Sequence, residues 1–213
     1  MKNLELDLEK SGFDLFSWFN TAAYFHPDHR LENYARKHGA LAIVIGNSKA
    51  LWDPFLASRP AGPNPLDHYT EQAIQNACAS QEHRSTIYFG HTTEPAPIPI
   101  QHIAQTAGLA RIGPAGLCIH SRHGLWFGLR AVVTFDVPGP VGQQAPEDLC
   151  SACRDKPCVK ALEYAITLGK TATWHNWLAV RDACPVGIAS RYDQGQLTYH
   201  YTKDPRALLV DQT

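Results

Sequence analysis

The spacing of apolar residues along this chain predicts helices and strands in alternation. The apolar run ALAIVIGN at 40–47 ends at a turn signal and predicts a buried strand, and STIYFG at 85–90 predicts a second one. LDHYTEQAIQNACAS at 66–80 repeats its apolar residues at helical spacing. The leucines and phenylalanines of residues 4–20 predict an amphipathic helix that is broken near Gly12.

The second half of the chain continues this pattern. PIQHIAQTAGLARIG at 99–113 predicts a helix closed by glycine, and AGLCIHSRHGLWFGLRAVVTFD at 115–136 predicts a β-hairpin that turns at SRHG. TTEPAPIPI at 92–100 predicts an extended connector, because each proline fixes its own φ. WHNWLAV at 174–180 has the spacing of a helix, whose tryptophans either pack in the core or cap a cofactor. Strands separated by helices, with one adjacent antiparallel pair, predict an α+β domain in which helices cover the sheet.

Composition and charge narrow the class of protein. With 213 residues, 44% of them hydrophobic and 18% charged, the chain is long enough for one well-packed domain. Its net charge of -1 gives no overall field that favours nucleic acid or an anionic membrane. The acidic start MKNLELDLEK is unlike a signal peptide, and no segment approaches the roughly 18 apolar residues of a membrane span. We therefore expect a soluble protein in the cytoplasm, without membrane contact.

The strongest chemical signal is a group of cysteines. Cys150, Cys153 and Cys158 are spaced C-x2-C-x4-C, and Cys184 follows later in ACPVG, directly before a proline. In a reducing compartment a tight cysteine cluster indicates a metal site more often than a disulfide. Cys78 and Cys118 have no neighbouring thiol in the sequence, so core packing is the expectation for both.

Two metal centres compete for the four thiolates. Structural zinc takes paired C-x2-C units, whereas a 4Fe-4S cluster in bacterial ferredoxins takes three close cysteines and a distant one before proline. The segment RDACPVGIA around Cys184 offers no second thiol, so the pattern favours iron-sulfur. Zinc stays open as an alternative, and so does a set of buried cysteines that bind no metal.

Two families resemble this sequence. The stretch AQTAGLARIGPAGLCIHSRHGLWFGLRAVVTF, followed by LCSAC and ACPVG, resembles the N-terminal part of epoxyqueuosine reductase and its relatives, which include corrinoid reductive dehalogenases. GLCIHSRHGLWFGLRAVV and WHNWLAVRDACPVGIASRYDQGQLTYHYTKDPRALL are similar to the cytosolic cobalamin-processing enzyme that removes the upper ligand of cobalamin and has no such cluster. The likeness covers roughly residues 84 to 210.

The resemblance implies a fold and a set of cofactors. The fold would be a flavin-reductase (nitroreductase)-like α+β sheet covered by helices, with a small C-terminal iron-sulfur segment. We expect residues 1–148 to form the cofactor-binding core. Residues 149–213 would form the cysteine-cluster segment and a C-terminal cap, packed as part of the same domain. The implied cofactors are a 4Fe-4S cluster with cobalamin or FMN.

The resemblance also assigns roles to individual residues. Three glycines would allow close backbone approach to a macrocycle, and two aromatic residues would supply its apolar floor, although turn formation and core packing explain the same residues. These five residues are Gly108, Gly113, Gly116, Trp126 and Phe127.

Four charged residues complete the implied site. Arg130, Arg181 and Arg206 match arginines that hold glutathione in the cobalamin-processing enzyme, and ordinary ion pairing is the alternative. Glu94 falls where epoxyqueuosine reductase carries an aspartate thought to donate a proton, and an exposed loop glutamate is the alternative.

Together these expectations describe an iron-sulfur reductase that passes electrons from its cluster to a bound corrinoid or flavin. No G-x-G-x-x-G fingerprint for a nicotinamide is present, so an external electron donor is expected. Thiols suffice for one cluster and no tRNA-binding repeat follows, which disfavours nucleic acid as a partner. A ferredoxin-like electron-transfer protein without its own substrate and a zinc-stabilised binding module stay open, as does a homo-oligomer.

Overall fold

The computed structural model describes residues 3–24, 40–59, 61–94, 97–142 and 145–209. At its centre lies a four-stranded antiparallel sheet, and a short two-stranded ribbon lies outside it. The strands are β1 (Leu15–Asn20), β2 (Ala40–Asn47), β3 (Ser85–Phe89), β4 (Arg111–Ile112), β5 (Cys118–Ile119) and β6 (Gly128–Pro138). The sheet has the order β1-β2-β6-β3, and β4 pairs with β5 in the ribbon.

Helices surround the sheet and follow it along the chain. They are α1 (Leu4–Lys10), α2 (Trp52–Ala57), α3 (Pro65–Ala79), α4 (Ile100–Thr106), α5 (Pro157–Leu168), α6 (Trp174–Asp182) and α7 (Gln194–Thr202). Short 3-10 turns join them at Thr21–Ala23, Lys49–Leu51, Gly169–Thr171, Ile188–Ser190 and Pro205–Leu208. The α+β class predicted from the sequence is confirmed. None of the helices described is long and apolar enough to cross a membrane.

Both faces of the central strands are buried, and this explains their continuous apolar sequence. On β2, Ile43 and Ile45 pack in the cluster that α1, α2 and α3 cover, whereas Ala42 and Val44 pack in the cluster that includes α4. On β6, Val133 packs in the first of these clusters and Val132 packs in the second. Because successive side chains of a strand point to opposite faces, a sheet covered on both sides requires apolar residues at every position.

The predicted helix over residues 4–20 is correct in its first half and wrong in its second. The chain turns at Gly12, which has a φ of +82° and where a Cβ would lie 2.6 Å from Leu51 Cα. After this turn LFSWFN forms β1, which pairs antiparallel with β2 over its whole length. Aromatic residues favour strands that can pack against a neighbour, and β2 supplies that neighbour, so pairing outweighs the apparent helical spacing.

The predicted hairpin over residues 115–136 is also wrong. A tight turn does form at SRHG, because His120 and Gly124 exchange backbone hydrogen bonds of 2.9 and 2.8 Å. The strands on either side of this turn nevertheless separate. β5 pairs with β4, whereas both edges of β6 are occupied by β2 and β3. The segment between β5 and β6 is therefore free to line a site.

The other element predictions are confirmed with small changes of boundary, except that the helix predicted over 99–113 is only half as long and Arg111–Ile112 forms β4. β2, β3 and α3 occupy the predicted ranges, and α6 contains WHNWLAV. The helix predicted over 99–113 ends at Thr106, before Gly108, whose φ is +77°. In the proline-rich connector, Pro95 and Ala96 lie outside the described residues.

Candidate functional site

The fold brings all four predicted metal-binding cysteines to one pocket of about 240 Å³, which we call the cysteine pocket. Cys150 and Cys153 lie in the loop before α5, Cys158 lies in the first turn of that helix, and Cys184 follows the end of α6. The other walls are mainly apolar and include Pro114, Leu117, Ile119, Leu125, Leu149, Pro157, Pro185 and Val186. A centre held here would contact mainly apolar side chains.

The thiols are close enough to influence one another electrostatically. Burial raises the pKa of Cys150, and the thiols of Cys158 and Cys184 raise it further. The pKa of Cys184 is also raised by burial, while a hydrogen bond from the backbone N–H of Val186 opposes that change. Metal binding at these thiols would therefore release protons, because thiolate is the form that ligates a metal.

All four cysteines line the cysteine pocket. A tetrahedral zinc with Zn–S bonds of 2.3 Å requires its sulfurs to lie within about 4 Å of one another. Within the described ranges, no group of three or more His, Cys, Asp or Glu side chains is arranged to hold a single metal ion.

The loop that carries the first two cysteines is held by local contacts. Asp148 accepts a 3.2 Å hydrogen bond from the Ser151 backbone N–H and forms a 3.1 Å ion pair with Arg111. Lys156 adopts a left-handed backbone, with φ +40°, and Pro157 then starts α5 with its φ already suitable for a helix. The sequence RDKPC thus turns the chain sharply, so that Cys158 lies beside the same pocket as Cys150 and Cys153.

A second and larger cavity, of about 640 Å³, shares a wall with the cysteine pocket. Ala115, Leu117 and Leu125 line both. We call this second space the large cavity. Its other walls combine apolar and polar side chains: Ile100, Gln101, Cys118, Phe127, Gly128, Leu129, Arg130, Leu162, Trp177, Val180, Arg181, Tyr192, His200 and Tyr201.

Arg130 is the most unusual of the polar residues in this wall. Burial lowers the pKa of its guanidinium, whose Nε donates a 2.6 Å hydrogen bond to Asn47 Oδ1. No ion pair with a carboxylate is recorded for it in the described part of the chain. A partly buried cation without a counter-ion is costly, so this wall of the large cavity is suited to an anionic group.

Arg181 is held in place by backbone carbonyl groups. Its Nε donates to the Leu125 carbonyl oxygen at 2.9 Å, and one terminal nitrogen donates to the Phe127 carbonyl oxygen at 3.2 Å. The guanidinium also lies 5.0 Å from the ring centroid of Trp126 and 5.4 Å from that of Tyr192. Arg181 therefore anchors the segment between β5 and β6 while its charge remains at the wall of the large cavity.

His200 and Tyr192 add a neutral polar surface next to these arginines. Burial, and then the charge of Arg130, lower the pKa of His200 well below its ordinary value, so the imidazole is neutral at pH 7. Burial likewise raises the pKa of Tyr192. The two rings stack with centroids 5.3 Å apart. Sequence reasoning missed both residues, although the aromatic density of YDQGQLTYHY was an available signal.

The other predicted site residues are divided between the two cavities and positions away from them. Phe127, Arg130 and Arg181 line the large cavity, and Gly113 lines the cysteine pocket. The remaining five, Glu94, Gly108, Gly116, Trp126 and Arg206, line neither of these two spaces.

Three of those five have evident surroundings. Trp126 is fully buried in a cluster with Leu178 and Tyr192. Glu94 is exposed. Arg206 is exposed and bonds to Asp204 at 2.6 Å. The fold therefore does not gather the three predicted arginines, because Arg206 lies outside the pair formed by Arg130 and Arg181.

Comparison with known proteins supports the resemblance. No family model matches the chain. It is 24% identical to the cyanocobalamin reductase / alkylcobalamin dealkylase of Danio rerio, in an alignment of 245 positions that covers 98% of this chain and 91% of the relative.

Two solved structures share the fold. One is the C. elegans B12-trafficking protein CblC, a human MMACHC homologue, with a TM-score of 0.69, 17% identity and coverage of 97% of this chain and 93% of that one. The other is an epoxyqueuosine reductase, with a TM-score of 0.55, 12% identity and coverage of 90% and 66%. The similarity to cobalamin-processing proteins and to epoxyqueuosine reductase predicted from the sequence is thus confirmed.

Proposed function

We propose that this protein is an oxidoreductase that holds a 4Fe-4S cluster in the cysteine pocket and reduces a corrinoid bound in the large cavity. The observation that carries this proposal is the wall shared by the two spaces, where Ala115, Leu117 and Leu125 face both. Centres bound on the two sides of a wall that the same residues line would be close enough for electron exchange.

The residues of the cysteine pocket fit an iron-sulfur cluster. Four thiolates are the donor set that a 4Fe-4S cluster requires, all four cysteines line the same pocket, and three close cysteines with a distant Cys-Pro are the spacing of a bacterial ferredoxin. When bound, the cluster would supply single electrons. The apolar lining and the burial of Cys184 would keep water away from it.

The large cavity fits a corrinoid ligand. The relative from Danio rerio is named for its action on cobalamins, and the C. elegans protein for B12 trafficking. Phe127, Leu129 and Val180 offer apolar contacts to the faces of a macrocycle, and Gln101, Tyr192 and Tyr201 offer polar groups to its amide edge. FMN has a flat isoalloxazine ring and is the second ligand that we propose for the large cavity. We also propose that the sheet is of the flavin-reductase-like class.

Arg130 and Arg181 would hold an anionic co-substrate such as glutathione beside the corrinoid. Both line the large cavity, and guanidinium groups pair well with carboxylates. We leave Arg206 out of this set, because it is exposed and already paired with Asp204. Glu94 is likewise left out as the proton donor, since it does not border the large cavity.

Metal analysis of anaerobically purified protein tests the first half of the proposal. We expect about four irons and four sulfides per chain, with the brown colour of a cluster. Cys184→Ser should reduce the iron content, whereas Cys78→Ser, a buried cysteine far from the pocket in the main core, should not. Wild-type protein that contains zinc, or no metal after reconstitution with iron and sulfide, would rule out the cluster.

Absorbance titration with hydroxocobalamin tests the second half. We expect saturable binding and, with an external one-electron donor present, reduction of the cobalt at a rate that falls in Cys184→Ser. If cobalamin binds but the rate of cobalt reduction does not depend on the cysteines, the protein would be a corrinoid carrier. That result would contradict the proposed reductase. A cluster-containing protein that binds neither cobalamin nor FMN would be an electron-transfer protein.

A further inference from the structure

We propose that Gly124 and Gly187 are positioning residues, whose backbone contact carries the Cys184 thiol into the cysteine pocket. The part of this inference that concerns iron rests on the proposed function. The part that concerns the position of the thiol does not, and the experiment below separates the two.

The contact leaves no room for a side chain at Gly124. This residue ends the turn that begins at His120, with φ +56°. A Cβ at Gly124 would overlap the carbonyl oxygen of Val186 and lie 2.5 Å from its carbonyl carbon. Two stretches of backbone therefore touch directly, one from the turn after β5 and one from the segment that follows Cys184.

The same contact excludes a side chain from the other partner. Gly187 has φ +73°, and a Cβ there would overlap the backbone carbonyl of His123 and the nitrogen of Gly124. Glycine is thus required twice, by the left-handed backbone and by the close approach. These are the G of HGLWF and the G of ACPVG, two motifs that lie 63 residues apart in the sequence.

The chain on both sides of this contact is fixed, so a displacement would fall on the cysteine. Arg181 precedes Cys184 and is bonded to the Leu125 carbonyl oxygen. Beyond Gly187, Ser190 Oγ lies 2.9 Å from His123 Nδ1, and the Ala189 carbonyl accepts a 3.0 Å hydrogen bond from Lys49 Nζ. Residues 184–187 are therefore a short span between two anchored points.

The size of the displacement can be compared with the tolerance of a metal ligand. Moving a new Cβ from 2.5 Å to an ordinary carbon contact of about 3.5 Å shifts the backbone by about 1 Å. Metal–ligand distances are held to about 0.2 Å. A shift several times larger than this would remove Cys184 as a ligand, while Cys150, Cys153 and Cys158, which lie on other segments, would remain in place.

The first experiment measures the cluster in Gly124→Ala and Gly187→Ala. We expect the iron content to fall from about four to about three per chain, with the electron paramagnetic resonance signal of a three-iron cluster. Gly62→Ala is the matched control, because Gly62 also has a left-handed φ, +83°, but no atom within 4 Å of a new Cβ. General destabilisation would lower cluster content as a whole and would not select a single iron. Four-iron clusters in both variants would overturn the inference.

The second experiment needs no metal. In metal-free protein that retains Cys158 and Cys184 as its only cysteines, a bifunctional bimane should cross-link the two thiols. We expect the yield to fall at least severalfold in Gly187→Ala and to be unchanged in Gly62→Ala. If wild-type protein binds no iron but cross-linking shows this difference, the proposed function fails and the positioning role stands. Equal cross-linking in all variants, or loss of the whole fold in both glycine variants, contradicts the positioning role.

Discussion

At the scale of single residues, the large cavity is distinguished by charged and titratable side chains whose pKa values are shifted by burial. Arg130 keeps its guanidinium in a partly buried wall, where it donates a hydrogen bond to Asn47, and burial and the charge of Arg130 hold His200 neutral. Such groups are retained in proteins at a cost to stability, which is a common mark of a binding or catalytic site. The two residues therefore carry more information about ligand chemistry than the apolar residues around them.

Arg130→Met should weaken the binding of glutathione about 10-fold or more, because a charge-assisted pair with a carboxylate is lost, and about 1.4 kcal/mol corresponds to tenfold. The melting temperature should fall modestly, since the substitution leaves the buried Asn47 Oδ1 without its hydrogen-bond donor. Titration calorimetry measures the affinity. Arg206→Met, at an exposed arginine paired with Asp204, serves as the control and should bind glutathione normally. Equal loss in both variants would show that the large cavity is not where the thiol binds.

His120 should make the stability of the protein depend on pH in the acid range. Burial, together with the nearby His123, lowers its pKa to about 4 from an ordinary 6.5. Well above pH 6.5 the imidazole is neutral in both the folded and the unfolded chain, because both pKa values lie below that pH. As the pH falls towards 4, the unfolded chain takes up a proton that the folded chain does not, so the free energy of unfolding decreases.

His120→Asn is the variant that checks this expectation. The Nδ1 atom of His120 accepts hydrogen bonds from the backbone N–H groups of Arg122 and His123, at 3.1 and 3.3 Å, and an asparagine oxygen can replace it. Urea unfolding between pH 4 and 7 should show a shallower pH dependence in the variant than in the wild type. If the free energy of unfolding depends on pH equally in the wild type and the variant, groups other than His120 cause the loss of stability in acid.

The cysteine site could be predicted from the sequence to a greater extent than the large cavity. The spacing of Cys150, Cys153 and Cys158 is local in the sequence, and the Cys-Pro pair grouped Cys184 with them, with which it shares one pocket. The residues of the large cavity come from separate segments and are aromatic or apolar types that also fill cores. Trp126 illustrates this, because the predicted floor residue packs in the core while its neighbour Phe127 lines the large cavity.

At the scale of elements, the errors of sequence reasoning have one physical origin. Pairing with distant strands explains why residues 15–20 form β1 and not a helix. It also explains why β5 and β6 do not pair as the predicted hairpin. β6 is bonded on both edges, to β2 and β3, so it cannot pair with β5. Helices such as α3 and α6 were predicted within one or two residues because their hydrogen bonds are local, whereas the partners of a strand lie elsewhere in the chain.

The central position of β6 predicts where the fold is most sensitive to substitution. Phe135→Ala should lower the free energy of unfolding by about 3–5 kcal/mol, because Phe135 is fully buried between β6 and the helices on one face of the sheet. Tyr164→Ala on α5, where the side chain is 61% exposed, is the control and should change stability by less than about 0.5 kcal/mol. Urea denaturation measures both values. A small effect for Phe135→Ala would mean that the core can refill the space.

At the scale of the whole molecule, the C-terminal third completes both spaces. α5 and the segment after α6 provide cysteines to one, and α6 and α7 provide Trp177, Arg181 and His200 to the other. The sheet and its covering helices supply a rigid support. A chain with a net charge of -1 has no overall electrostatic attraction for a strongly charged partner.

The thin partition formed by Ala115, Leu117 and Leu125 has a thermodynamic consequence. Suppose that a ligand in the large cavity binds more tightly when a redox centre in the cysteine pocket is reduced than when it is oxidised. Linkage then requires the ligand to raise the midpoint potential of that centre, by about 59 mV for each tenfold difference in affinity. Redox titration with and without hydroxocobalamin should therefore give different midpoint potentials, and the difference should equal about 59 mV multiplied by the base-10 logarithm of the ratio of the two dissociation constants. Identical potentials would mean that the two compartments operate independently.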